Sequence, residues 1–271
     1  MLQNITIGQY FPGKSLIHKI DPRMKIVLIL LLMASVFVCT SYPAIVLSLA
    51  MTVAVVILSR INLKVILKGM KPILFIVLIT ALLNLFYSAG EPLWQFWVFK
   101  ISLEGIHSAV FMALRVVLLV VIGLMLTYTT TPTALTDAIE ALLKPLHVLF
   151  KLDIHSLAMT MTIALRFIPT LIEEVDKIMS AQKSRGADME SGNLIKRVKA
   201  IVPVLIPLFV SAFRRANELA YAMECRCYRG GEGRTKMKVM HLAARDYLSL
   251  AAVLVYITAL ILIRIFVPSV L

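Results

Sequence analysis

The sequence predicts an all-α integral membrane protein with about five transmembrane helices and a long cytoplasmic segment of amphipathic helices. Three observations carry that expectation. The 271 residues are 60% hydrophobic, with a mean hydropathy of +0.89, well above the apolar share of soluble domains. Five apolar runs can each cross a hydrocarbon core, the first two only just. The formal net charge of +13 is clustered beside those runs, as in cytoplasmic loops, so nucleic acid is not an expected partner.

The runs cover residues 25–40, 43–59, 72–88, 106–128 and 247–267. The first two are joined at Ser41-Tyr42-Pro43 and form a helical hairpin. Lys14, Lys19, Arg23 and Lys25 precede the first run, and Arg60, Lys64, Lys68 and Lys71 follow the second. Both groups face the cytoplasm by the positive-inside rule. The loop over 89–105 has Lys100 as its one cation and holds Trp94 and Trp97, so it is expected outside. Residues 129–246 then lie inside and the C-terminus outside. No cleavable leader is expected in the polar residues 1–25. The organisation is thus 1–128 with four spans, 129–246 as a cytoplasmic helical domain, and 247–271 as a last span.

Residues 129–246 are too long for an idle connection. They read as three helices. The first starts at Thr131-Pro132-Thr133, a capping threonine followed by proline, and runs through Leu135, Ile139, Leu142 and Leu143 to Lys144-Pro145. The second runs from His155 to Ser184, with Leu157, Met161, Ala164, Ile168, Ile172, Val175 and Met179 as its apolar stripe and Gly186 as its stop. The third runs from Leu194 to Cys227, with Val198, Val202, Leu205, Phe209, Ala212, Ala216, Leu219 and Met223 as its stripe and kinks expected at Pro203 and Pro207. The stripes need cover from one another or from the bilayer surface.

Two arginine motifs end the second and third helices: Ser184-Arg185-Gly186 and Cys225-Arg226-Cys227. A single arginine there would be explained by the helix dipole, worth about 0.3–1 kcal/mol. Two copies, both with small flanks and an upstream alanine (Ala181, Ala222), suggest helix ends shaped to enter grooves. A guanidinium can then make paired hydrogen bonds to a carboxylate.

With these motifs in place the chain resembles the transmembrane T-component of energy-coupling factor transporters, the family that includes the cobalt-uptake permease subunit. The resemblance runs nearly end to end. Gly8-Gln9-Tyr10-Phe11-Pro12-Gly13-Lys14-Ser15, His18 and Asp21-Pro22-Arg23-Met24-Lys25 look like its opening signature, and Ala164-Leu165-Arg166-Phe167-Ile168-Pro169-Thr170 like its middle block. The arginine motifs match the family's Ala-Arg-Gly coupling motifs, the second departing at both flanks. The resemblance implies a cell-membrane subunit pairing with two cytoplasmic ABC-type ATPases and a membrane-embedded substrate-binding S-component for a vitamin or metal ion. It implies that Ser184, Arg185, Gly186, Cys225, Arg226 and Cys227 couple to the ATPases. The amphipathic face of Leu135, Ile139 and Leu142 is the expected S-component contact.

Other residues are weighed against this. Arg115 lies about 13 Å into the fourth span and is expected to pack or snorkel rather than act. Asn84 is expected to bond between helices, and Arg264 to snorkel. The histidines (His18, His107, His147, His155, His241) lack ligand spacing, and Cys39, Cys225 and Cys227 make neither a disulfide framework nor a zinc signature, so no metal or cofactor is expected. Gly230-Gly231-Glu232-Gly233-Arg234-Thr235 lacks the lysine and first glycine of a phosphate loop, and no ATP hydrolysis is expected of this chain. The competing reading is a membrane enzyme acting on a phosphorylated lipid or isoprenoid. Such an enzyme would want clustered acids for magnesium, for which Glu173, Glu174 and Asp176 are the candidates.

Overall fold

The computed structural model describes residues 10–87, 92–96, 99–150, 153–187, 193–230 and 239–267. Its elements are α1 (Pro22–Val38), α2 (Tyr42–Ser59), α3 (Leu63–Tyr87), β1 (Pro92–Phe96), β2 (Phe99–Ser102), α4 (Leu103–Thr129), α5 (Pro132–Phe150), α6 (Ile154–Ser184), α7 (Leu194–Cys225) and α8 (Ala244–Phe266). By length and composition, α2, α3, α4, α6, α7 and α8 can each cross a membrane. This set differs from the five expected runs at two places. At 17 residues α1 falls just short of the set, and α6 and α7 qualify with lower hydropathy, 1.3 against 2.1–2.8 for the others.

The chain divides into two units. In the first, residues 8–138 and 239–271, α4 is the central helix, contacting α1, α2 and α3, while α8 packs on α1 and α2. Leu28, Leu32 and Val36 of α1 present one face at helical spacing. They are buried with Ile45 of α2, Phe111, Leu118 and Ile122 of α4, and Val253, Tyr256 and Leu260 of α8. Hydroxyls stitch this core. Tyr256 donates to Ser48 Oγ at 2.8 Å, Ser35 Oγ donates to Tyr256 at 3.2 Å, and Ser48 meets Cys39 Sγ at 3.0 Å. Such bonds hold helices together where apolar surface alone gives no preference over lipid.

A second cluster joins α3 to α4 through Ile66, Val121, Met125 and Tyr128. Gly69 makes that approach possible, since a Cβ there would stand 2.1 Å from the Tyr128 hydroxyl. The rest of α3 carries exposed Leu74, Phe75, Ile76, Leu78 and Leu82, as a lipid-facing helix would.

Polar residues of the opening signature tie down one end of this unit. Asp21 caps α1 by accepting from Arg23 N at 2.9 Å, with Pro22 in the first turn. The Asp21 N–H donates to Asp246 Oδ1 at 2.9 Å, and Asp246 Oδ2 accepts from Ala243 N at 2.7 Å. Lys25 Nζ donates to the Thr129 carbonyl at 2.9 Å, satisfying an orphan acceptor at the end of α4. All three side chains are buried, so the signature joins the starts of α1 and α8 to the end of α4.

Several expectations shift. The helix containing Pro72 begins earlier, at Leu63, because Asn62 Oδ1 accepts from Lys64 N at 3.1 Å and starts it in the basic loop. Pro145 lies inside α5 rather than ending it. Asn84 donates to the Thr80 carbonyl of its own helix at 2.9 Å, not to a neighbouring helix. The loop over 89–105 contains an antiparallel hairpin, with Gln95 opposite Lys100 and Phe96 opposite Phe99. Its signal was the period-two run Trp94, Phe96, then Phe99, Ile101. Glu91 and Trp97 fall outside the described residues.

The second unit spans residues 139–238, with α6 and α7 packed on each other. Gln182 Nε2 donates to the Pro203 carbonyl at 3.4 Å. Glu174 pairs with Arg215 at 2.9 Å and accepts from Ser211. Residue numbers therefore fall along α6 as they rise along α7, and the helices are antiparallel.

Candidate functional site

The two arginine motifs fold into the same local structure. In α6 the C-cap is Arg185. The next residue, Gly186, has φ +85°, in the left-handed region that ends a helix without cost only for glycine. Gly186 N donates to the Lys183 carbonyl at 3.0 Å and Ala187 N to the Gln182 carbonyl at 3.0 Å. These are the two bonds of a Schellman turn. In α7, Arg226 holds the cap position and Cys227 follows with φ +54°. Cys227 N donates to the Glu224 carbonyl at 2.8 Å and Tyr228 N to the Met223 carbonyl at 3.0 Å. The bond pattern repeats residue for residue, although the second turn lacks a glycine.

Ser184, Arg185, Gly186, Cys225, Arg226 and Cys227 are all exposed. Among the described residues, neither guanidinium has a hydrogen bond or ion pair. Both cysteines are free thiols. Arg185 stands less than one turn beyond the Gln182 contact, and Arg226 about three turns beyond the Arg215 pair. With α6 and α7 antiparallel, the tips lie at opposite ends of the contact, on the order of 30 Å apart at 1.5 Å per residue.

The bonds that hold the tips in place were not anticipated. Glu174, read as solvent-facing and as a candidate magnesium acid, is engaged by Ser211 and Arg215 of the facing helix. Among the described residues no three His, Cys, Asp or Glu side chains are grouped to hold a metal ion. The apolar stripe of α7 is also placed differently. Among the described residues of α7 the buried one is Val204, while the expected Val202, Leu205 and Phe209 are 45%, 42% and 61% exposed. The polar residues Ser211 and Arg215 turn the other face toward α6, and periodicity alone did not weigh them. In α6, Leu157 and Met161 are likewise exposed. Leu135, Ile139 and Leu142 share one face of α5 and are half-buried.

Comparison with known proteins decides the family. The sequence model of the cobalt transport protein family matches residues 13–237. The energy-coupling factor transporter transmembrane protein EcfT of Ruminiclostridium cellulolyticum is 52% identical over 264 residues, covering 97% of this chain and 98% of the relative. This chain belongs to the energy-coupling factor transporter transmembrane proteins. The relatives so named in Clostridium kluyveri, 50% identical with 98% of each chain covered, and in Bacillus subtilis, 46% identical with 97% and 100% covered, agree. As a member of that family the chain is a multi-pass bacterial membrane protein and a non-catalytic transporter subunit.

Within this transmembrane component several of the remaining singled-out residues have structural partners. Arg115 Nη2 donates to the Cys39 carbonyl at 2.6 Å, where its charge faces the end of the α1 dipole, and its guanidinium lies 5.2 Å over the Phe111 ring. His18 joins Ser15 and the Phe11 carbonyl, and His155 lies 3.5 Å from Glu140. Arg166 and Arg264 are exposed. Residues 231–235 of the glycine-rich segment, and residues 8 and 9 of the opening signature, lie outside the described residues.

Proposed function

We propose that this chain couples two cytoplasmic ABC-type ATPases to a membrane-embedded S-component, and that Arg185 and Arg226 are its two ATPase anchors. The observation that carries the reading is the repeated Schellman turn, which presents an unpaired arginine twice on one helical pair. A helix cap needs no second copy at the far end of the same contact. Tips about 30 Å apart cannot share one groove, which suits two separate ATPase sites. Each guanidinium would form charge-assisted, bidentate hydrogen bonds to a carboxylate in its groove. The antiparallel α6–α7 pair, pinned by Glu174 and Arg215, would carry a change in spacing between the ATPases as motion of the whole pair.

The same reading places residues 129–246 in the cytoplasm. The connection from α6 to α7 is flanked by Lys183, Arg185, Lys196, Arg197 and Lys199, a cation density that opposes export. The helices α6 and α7 then lie along the bilayer surface, despite being long enough to span. Their exposed apolar residues, with Leu135, Ile139 and Leu142 of α5, are the surface offered to the S-component and to lipid. The S-component would bring a vitamin or metal ion as cargo.

Purification of the tagged chain from its native membrane tests this. Recovery of two ATP-binding proteins and a small membrane protein is expected. Recovery of the chain alone, with turnover of a phosphorylated lipid, would instead establish a membrane enzyme.

A further inference from the structure

Away from the coupling tips, the turn between α2 and α3 has an unusual backbone. Arg60 follows directly on α2 with φ +55°, its N–H bonded to the Ile57 carbonyl at 3.1 Å. Glycine would hold that turn without strain, whereas arginine holds it at a cost, a situation that clusters at functional sites. The N-terminal loop is fixed beside this turn. Ser15 Oγ meets His18 Nδ1 at 2.6 Å, and His18 Nε2 meets the Phe11 carbonyl at 3.0 Å.

Loop and turn together line an open cavity of about 230 Å³. Lys14, Ser15, His18, Arg60 and Asn62 supply its polar lining, and no aspartate or glutamate lines it. Among the described residues, Lys14 and Arg60 form no ion pair. Two uncompensated cations around one concavity raise the local potential and attract an anion. The cavity is smaller than a typical cofactor site. Because Arg60 ends a membrane-length helix, the cavity stands at headgroup level. Basic pockets in that position suit phosphate-bearing headgroups.

We propose that this cavity binds a phosphate anion at the membrane surface, held by Lys14 and Arg60, its source being either the anionic headgroup of a phospholipid or free phosphate. The inference is independent of the coupling arginines. The left-handed turn at Arg60 brings that residue into the lining of the cavity beside Lys14.

The test is native mass spectrometry of the full chain with phosphatidylglycerol, phosphatidylcholine or inorganic phosphate added singly. The Lys14→Gln/Arg60→Gln variant is compared with a Lys68→Gln/Lys71→Gln variant, which removes the same charge elsewhere. Loss of two surface cations should weaken phosphatidylglycerol retention by roughly thirtyfold in the first variant and little in the second. Phosphatidylcholine retention should not change. Binding of inorganic phosphate alone, lost in the first variant only, would support the site and assign it to the free ion. Equal retention in both variants, or equal loss in both, would overturn the proposal. An Arg60→Gly variant, which fits the left-handed backbone, guards against misfolding and should lose roughly fivefold, the share of one cation.

Discussion

Gly186 and Cys227 occupy the same place in two copies of one turn, each one residue past a cap arginine and each in left-handed backbone, φ +85° and +54°. Only Gly186 does so freely. Holding a side-chain-bearing residue in this region costs about 1–2 kcal/mol. The second tip is therefore the more strained, and the two differ in that strain and in the flanking thiols.

This asymmetry gives a first prediction. Cys227→Gly should stabilise the second tip, slowing amide exchange at Cys227 and Tyr228, whose N–H groups close the turn. Gly186→Val should do the reverse at the first tip, opening it by about 1 kcal/mol or more and weakening ATPase capture there. Unchanged exchange in both variants would mean that the turns are not the determinant of tip structure.

A second prediction concerns the close approach of α3 to α4. Gly69→Ala sets a methyl 2.1 Å from the Tyr128 hydroxyl, which is buried in α4. Overpacking of this kind costs about 1–3 kcal/mol, so the melting temperature in detergent should fall. Tyr128→Phe removes the clashing oxygen, and the next contacts, at 3.3 and 3.4 Å, need small shifts. The double variant should recover most of the loss, and simple additivity would refute the contact.

The two cases differ in how far the sequence foretold them. Gly186 was legible as a helix stop because glycine alone tolerates left-handed backbone, and the start at Thr131-Pro132 because a threonine oxygen and a proline suit a helix's first turn. The approach of Gly69 to Tyr128 was not, because contact between helices distant in sequence leaves no periodic trace. The Glu174–Arg215 pair escaped for the same reason, and with it the true facing of α7: hydrophobic periodicity assigns the apolar side inward, whereas α7 turns Ser211 and Arg215 toward α6. The hairpin at β1 and β2 was passed over because its two strands are short beside the membrane runs. The site arginines were legible individually, but their identical turns were not, since Cys227 carries no sequence mark of a left-handed residue.

Topology yields a third prediction. In a Cys225→Ser/Cys227→Ser background, a membrane-impermeant thiol reagent applied outside should label a cysteine added after Leu271 and spare one at position 192. The reverse pattern would put the arginine turns on the side of the membrane away from any cytoplasmic ATPase.

The proposed S-component contact yields a fourth. A carboxylate at Leu135 or Ile139, half-buried on one face of α5, should reduce S-component capture while the ATPases still co-purify. A carboxylate at Phe209, which is 61% exposed on α7, should act in the same direction. Loss of both partners together would indicate misfolding rather than a contact.

The most direct test of the central claim is substrate uptake by the assembled transporter carrying Arg185→Ala and Arg226→Ala, singly and together. Truncating one partner of a desolvated charge pair costs about 2–5 kcal/mol, against at most about 1 for an exposed dipole contact. Each single variant should lose most uptake, the double variant should lose ATPase assembly as well, and lysine should rescue poorly because it lacks the planar fork. Uptake by the double alanine variant at the unmodified rate would reduce both arginines to helix caps and contradict the account.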